Sequence, residues 1–169
     1  MEVGPSSGCA APWRLRAPAS IHAMTYAIRI LRPEDRPQWG ALWRGYLDFY
    51  KTSIPEDVTE LTWRRLLDPE AGICGFCASD EGEKLLGIVH YLFHPVTWSA
   101  GPRCYLEDLF TAPEARGRGV GRALIEAVYA AADQRGADQV YWLTQDFNAT
   151  ARRLYDQVAT VTPFIKYRR

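Results

Sequence analysis

Residues 116–122 read Arg116-Gly117-Arg118-Gly119-Val120-Gly121-Arg122, between an apolar, strand-like run (Cys104 to Thr111) and an uninterrupted helix-like run (Val120 to Gln134). The residue types and their position suit an anion. A helix start leaves several backbone N–H groups unpaired and carries partial positive charge, so glycines that let a phosphate approach the backbone, with arginines beside them, make a cradle for a pyrophosphate. Two nucleotide-binding patterns fail on residue identity. A dinucleotide fingerprint needs G-x-G-x-x-G, but Gly117 and Gly119 are followed by Arg122, and Gly119 and Gly121 by Leu124. A P-loop needs Gly-Lys-Ser/Thr, which is absent. What remains is Arg116-x-x-Gly119-x-Gly121; alone it also fits an ordinary Gly/Arg turn entering a helix, so its flanks must decide.

A second spacing competes. Cys74-x-x-Cys77, twelve residues and His90-x-x-x-His94 meet the pattern of a two-Cys, two-His zinc finger. A finger carries its histidines on a helix, whereas Gly87 followed by Ile88, Val89, Tyr91 and Phe93 is β-rich. Glu81 and Gly87 occupy the offsets where a finger keeps its aromatic and its leucine. On a strand Cys74 and Cys77 face opposite sides unless Gly75 turns the chain. The expectation is no metal, with buried thiols and strand histidines in a reducing compartment; a zinc-stabilised nucleic-acid-binding protein is the less favoured alternative.

The flanks of the cradle carry a resemblance. Arg116-x-x-Gly119-x-Gly121 resembles the acetyl-CoA pyrophosphate motif of the GNAT superfamily of N-acetyltransferases. Upstream, Tyr105-Leu106-Glu107-Asp108-Leu109-Phe110 resembles the fourth strand of that family, and the L-E-D-L/F-F pattern is similar to the diamine (spermidine/spermine) and histone/polyamine-type acetyltransferases. Downstream, Tyr141-Trp142-Leu143-Thr144 followed by Asn148, Ala151, Leu154 and Tyr155 resembles the fifth strand and the helix that closes on the pantetheine arm. One departure stands out: many relatives have a Gly-Phe pair after that helix, whereas Ala159-Thr160-Val161-Thr162-Pro163 precedes Phe164 here, leaving the path into the last strand open.

The resemblance implies acetyl transfer from acetyl-CoA to a primary amine of a polyamine, an amino acid or a lysine side chain, by direct attack. Such an amine, with a pKa of about 10.4, is almost wholly protonated at neutral pH and needs a base. Glu107 holds the family's position for it; Asp108, on the opposite face of a regular strand, is the second choice or a holder of the cationic substrate. Glu107 could instead pair with Arg103 or cap a loop. Tyr155 stands where the family places the proton donor to the leaving thiolate, with simple packing against Ala151 and Val158 as its alternative. Leu109 or Phe110 would offer backbone N–H groups to the thioester carbonyl, provided the fourth strand splays from the fifth. Phe110 and Thr111 would pair with the pantetheine amides, Asn148 would bond the arm, the backbone of Arg116, Gly117, Arg118, Gly119, Val120 and Gly121 would hold the pyrophosphate, and Arg118 or Arg122 the ribose phosphate. Tyr46, Phe49 and Tyr50, with Asp48, Glu56, Asp57 and Glu60 beside them, lie where relatives build the acceptor groove. Cys104 lacks a sequence-evident base partner, so no acyl-enzyme is expected. The alternative within this fold is a non-catalytic acyl-CoA-binding module.

The elements that would position these groups follow from periodicity and punctuation. Tyr26 to Leu31 alternates as a strand, and Pro33-Glu34-Asp35 supplies helix-start chemistry for a helix with Trp39, Leu42, Trp43, Tyr46, Leu47 and Tyr50 on one face. A second helix runs from Glu56 to Leu67 and stops at Asp68-Pro69. Cys74 to Ser79 and Lys84 to Phe93 read as a hairpin around Asp80-Glu81-Gly82-Glu83. Beyond the cradle, Val120, Leu124, Val128 and Ala131 make an apolar stripe ending at Arg135-Gly136; Gln139 to Thr144 is a strand, Ala149 to Val158 a helix and Phe164 to Arg168 a final strand. The expected fold is a three-layer α/β domain with a central mixed, mostly antiparallel sheet of six to seven strands and four helices.

With 169 residues, 47% of them hydrophobic, the chain suits one domain. Twenty basic residues balance twenty acidic ones, so no general attraction to nucleic acid or to an anionic membrane is expected, and no apolar run reaches the length of a membrane span. Residues 1–23, rich in Ala, Pro, Ser and Gly, read as a disordered tail ahead of an acetyltransferase domain at 24–169, with Met24 a candidate start. A cytoplasmic homodimer is the expected form.

Overall fold

The computed structural model describes residues 25–169, so the expectations for residues 1–23 and Met24 fall outside the described residues. Strands β1 (Tyr26–Ile30), β2 (Ile73–Asp80), β3 (Leu85–His94), β4 (Arg103–Thr111) and β5 (Gln139–Tyr141) form one sheet in sequential order. Neighbours are antiparallel up to β4, while β4 and β5 are parallel. A parallel pair needs a crossover. Here it is helix α3 (Val120–Gln134), whose buried stripe Val120, Leu124, Ala127 and Val128 is widened by Ile125 and Ala132, with Ala131 only half-buried.

Central strand β3 is covered on both faces, which explains its nearly continuous apolar run. Gly87 faces Val120 and Leu124 of α3. His90, three residues on and therefore on the other face, meets helix α1 (Arg36–Phe49), with helix α2 (Glu56–Leu67) beside it. On that second face the α1 aromatics form a wall: Trp39 and Trp43 are stacked at 5.8 Å, and Trp39 lies 4.9 Å from Trp63 of α2. Trp39 is fully buried, and truncating such a side chain to alanine costs about 3–5 kcal/mol.

Three expectations about the sheet are corrected. Among the described residues the sheet has five strands, not six to seven, and the segment Phe164–Arg168 is not a strand. The fifth strand ends at Tyr141 rather than Thr144 and offers a last strand only three residues of edge. Pro163 removes one ladder donor, and alternation would put Lys166 and Arg168 on the same face as Phe164. Val161, Phe164, Ile165 and Tyr167 accordingly stay exposed. Helix α4 (Ala149–Val158) has the expected bounds and is tied to α3 by the Tyr129 hydroxyl, which donates to the Val158 carbonyl at 3.0 Å.

Candidate active site

A cleft of about 750 Å³ runs between the start of α3, the end of β4, the end of α1 and the face of α4. Its floor exists because β4 and β5 pair only from Arg103↔Gln139 to Tyr105↔Tyr141. Beyond Tyr105 the strands part, and among the described residues the β5-side edge of β4 as far as Thr111 has no strand neighbour. This is the splay that the sequence could not show. Leu109, Phe110 and Thr111 line the cleft there.

At one end of the cleft the Arg116–Gly121 turn leads into α3. Gly117 and Gly119 have φ of +74° and +81°, and Gly119 is the residue at which α3 begins. Only glycine adopts that backbone cheaply, and the turn bares the first N–H groups of the helix with no side chain in front of them. Arg116 donates from Nε to the Thr111 carbonyl at 3.3 Å and lies 5.7 Å from the Phe110 ring centroid, tying the cradle to the splayed strand. Arg122 lines the cleft and bonds Gln157 of α4; Arg118 stands outside the lining. These residues fit the pyrophosphate and pantetheine of a coenzyme A thioester: unpaired helix N–H groups for the anion, and an open strand edge for the amides.

The other end is built from side chains drawn from five segments. Between His90↔Asp108 and Tyr91↔Leu106 the β3–β4 register skips a residue, so Glu107 is the extra residue of a β-bulge. A bulge breaks the alternation of a regular strand. Regular alternation therefore no longer fixes how Glu107 and Asp108 face relative to each other, and burial, then the two adjacent carboxylates, raise the Tyr105 hydroxyl. Glu107 is exposed in surface area, yet partial desolvation of its carboxyl, and then the adjacent Asp108 charge, raise it above its ordinary value, partly offset by Lys166. Asp108 is largely buried; its Oδ2 meets His90 Nδ1 at 2.9 Å, and it also accepts a hydrogen bond from Tyr46. Burial and that carboxylate hold the Tyr46 hydroxyl far above the usual phenol range, so it remains a donor.

Tyr155 faces this end from α4. Its ring packs edge-on to Trp142 at 5.2 Å, and burial, then the neighbouring Tyr50, push the hydroxyl up to about 12. Tyr50 accepts a hydrogen bond from Thr144, which itself accepts from Asn148 Nδ2 at 3.1 Å. The cleft thus joins an anion cradle and an open strand edge to a group of tyrosines, of which Tyr46 bonds the Asp108 carboxylate.

Comparison with known proteins decides the family. Residues 31–159 match the Acetyltransferase (GNAT) family model. The chain belongs to the GNAT acetyltransferase family. It is 38% identical over 143 residues to a D-amino-acid N-acetyltransferase of Saccharomyces cerevisiae, covering 84% of this chain and 89% of that protein. It is 36% identical over 75 residues to a thialysine N-epsilon-acetyltransferase of Bos taurus, which spans 44% of each chain. Among solved structures, an aminoglycoside N-acetyltransferase in complex with CoA superposes with a TM-score of 0.74 at 20% identity, over 86% of this chain and 94% of that one. The five-stranded mixed sheet and four helices are the GNAT α/β fold, and the chain is an N-acetyltransferase.

Within this GNAT cleft the expected residues divide. Tyr46, Phe49, Tyr50, Leu109, Phe110, Thr111, Arg116, Gly117, Gly119, Val120, Gly121, Arg122, Asn148 and Tyr155 line it, while Glu107 and Asp108 lie outside the lining, Asp108 in contact with it through Tyr46. Asn148 is engaged as the cap of α4, its Oδ1 accepting from the Ala151 N–H at 3.4 Å. Of the acidic residues expected in the acceptor groove, Glu56 and Glu60 pair with Arg36, and Asp57 bonds the Val58 N–H. Arg103 faces Asp138 at 3.7 Å, so its partner is not Glu107. Both histidines of the zinc-like spacing are engaged on β3: His90 with Trp39 and Asp108, His94 with Pro95 and Tyr141. Among the described residues no group of three or more potential ligands converges. Sequence reasoning missed Thr144, Phe147 and the role of His90; a polar residue inside the apolar run of β3 was the only available signal for the last.

Proposed function

We propose that the protein transfers the acetyl group of acetyl-CoA to the primary amine of a small amino-acid-like or polyamine-like acceptor, or of a lysine side chain, by direct attack. The observation that carries this reading is one continuous cleft linking the α3 cradle and splayed β4 edge to Tyr46 and Tyr50, with Tyr46 hydrogen-bonded to Asp108 next to Glu107. The turn from Arg116 to Gly121 holds the pyrophosphate, with Arg122 within reach of a ribose phosphate. Thr111 and Phe110 pair with the pantetheine arm, and the Leu109 N–H polarises the thioester carbonyl. The acceptor amine lies among Tyr46, Phe49 and Tyr50 beside the two carboxylates, a setting that favours a cation. Glu107, raised in proton affinity, takes the proton that the ammonium must lose before its nitrogen can attack.

Tyr155 serves the departing sulfur. At about 12 its hydroxyl is protonated throughout the neutral range, and full transfer to a thiolate of about 8.5 is uphill by roughly three pK units, so it acts by hydrogen-bond donation. An acyl-enzyme finds no support, because Cys77 and Cys104 are buried thiols pushed up to about 12 by that burial. Residues 24–169 form the acetyltransferase domain in this reading. The exposed Val161, Phe164, Ile165 and Tyr167 favour a homodimer, which light scattering tests. No described helix is long and apolar enough to cross a membrane; a cytoplasmic setting is part of the proposal.

The acetyl-CoA half and the acceptor half are tested together by incubating the protein with acetyl-CoA and a panel of D-amino acids, thialysine, spermidine and a lysine peptide. Thiol release with an N-acetylated product of matching mass is the expected result. CoA binding with no acetylated amine supports the non-catalytic module instead.

A further inference from the structure

The buried side of β3 holds a polar chain that neither the cradle nor the tyrosine ring requires. His90 is 1% exposed and lies between the rings of Trp39 and Trp43, at 6.0 and 5.5 Å. Its Nε2 lies 3.0 Å from the Trp39 indole Nε1. An indole nitrogen donates and never accepts, so Nε2 must be the unprotonated nitrogen and the ring proton must sit on Nδ1. That proton points at Asp108 Oδ2, 2.9 Å away. Asp108 receives a second donor, the Tyr46 hydroxyl, from α1. A carboxylate held by two donors from two elements has little freedom to rotate, and it borders the bulged Glu107.

We propose that Trp39 and His90 are positioning residues for acetyl transfer: the indole fixes the imidazole as its Nδ1–H tautomer, and that single directed donor holds the Asp108 carboxylate beside Glu107 at the acceptor end of the cleft. This rests on the reading of Glu107 and Asp108 as the acceptor end. The chain explains a buried histidine in an otherwise apolar strand, and the choice of tryptophan at 39, where apolar packing alone needs no N–H. It also gives Asp108 a task distinct from proton abstraction. A fixed anion beside Glu107 favours the bound ammonium and raises the proton affinity of the base, as partial desolvation does.

The test pairs a spectroscopic with a kinetic readout. In protein labelled with ¹⁵N-histidine, His90 of the wild type shows the Nδ1–H tautomer, and Trp39→Phe, which keeps a ring but removes the donor, gives a mixture. With acetyl-CoA and either thialysine or D-alanine as acceptor, Trp39→Phe lowers kcat about tenfold and leaves the acetyl-CoA KM within about twofold. In an Asp108→Asn background the same change adds no further loss, because the group being positioned is already gone. His90→Gln, whose amide both accepts and donates, retains more activity than His90→Leu; a packing role alone would reverse that order, and this pair decides the matter should Trp39→Phe fail to fold. An unchanged tautomer in Trp39→Phe, losses that multiply in the double variant, or better tolerance of leucine than of glutamine overturns the positioning role while leaving acetyl transfer intact. A wild type that acetylates none of the amines tested overturns acetyl transfer and the positioning role with it.

Discussion

The two ends of the cleft are made differently. The cradle end is one contiguous stretch, Arg116 to Arg122, working through backbone N–H groups that the glycines Gly117 and Gly119 leave bare. The acceptor end is assembled from β4, β3, α1, α4 and the residues after β5, through side chains distant in sequence, such as Trp39 with His90 and Tyr50 with Thr144. Backbone recognition tolerates many side chains and is written locally. Side-chain recognition depends on where distant elements meet. On the proposed reading the anion end therefore asks little of particular side chains, whereas acceptor choice would rest with residues such as Tyr46, Tyr50 and Asp108 that a few substitutions could redirect.

If the ends are separable in this way, variants should fall into two kinetic classes. Glu107→Gln has the largest expected effect: kcat falls by roughly 10²-fold or more, the usual worth of a general base, with acetyl-CoA affinity nearly unchanged, read by steady-state thiol release. Tyr155→Phe comes next, with kcat down about tenfold and a melting temperature within about 2 °C, since the ring against Trp142 is kept. A Tyr155→Phe protein that loses structure instead would make the residue a packing group. Gly119→Val belongs to the other class. A β-branched residue at φ +81° is strained and its Cβ would crowd the Tyr26 hydroxyl at 3.3 Å, so the turn that presents the helix N–H groups shifts and acetyl-CoA KM rises about tenfold while kcat holds. Asp108→Asn should shift the acid limb of the kcat/KM profile for the acceptor to lower pH, because removing a neighbouring anion lowers the proton affinity of Glu107 and exposes its basic form sooner. The smallest effect is expected for Cys104→Ala, which leaves turnover within about twofold; a covalent acetyl on Cys104 in an intact-mass spectrum would replace direct attack by an acyl-enzyme.

Legibility follows the same division. Helices α2, α3 and α4 have the bounds that periodicity and punctuation gave them, because caps and apolar stripes are local. The cradle was readable for the same reason. The last strand was not, since its existence depends on how much edge β5 offers, and β5 stops at Tyr141. The bulge at Glu107 was hidden because Tyr105 to Phe110 carries no glycine or other local mark of a register skip. Glu60 looked like an acceptor group until Arg36, 24 residues earlier, was found to hold it. His90 was visible only as a histidine in an apolar strand, and its meaning required Trp39 and Asp108 from two other elements.

The most direct test of a cleft with separable ends is a double-variant cycle on Glu107→Gln and Gly119→Val, with kcat and CoA affinity measured on all four proteins. The two sites share no contact among the described residues, so the account expects the kcat loss to track Glu107→Gln alone, the CoA affinity loss to track Gly119→Val alone, and the double variant to show their simple product. A Glu107→Gln protein with wild-type turnover, or one that loses CoA affinity as Gly119→Val does, would contradict it.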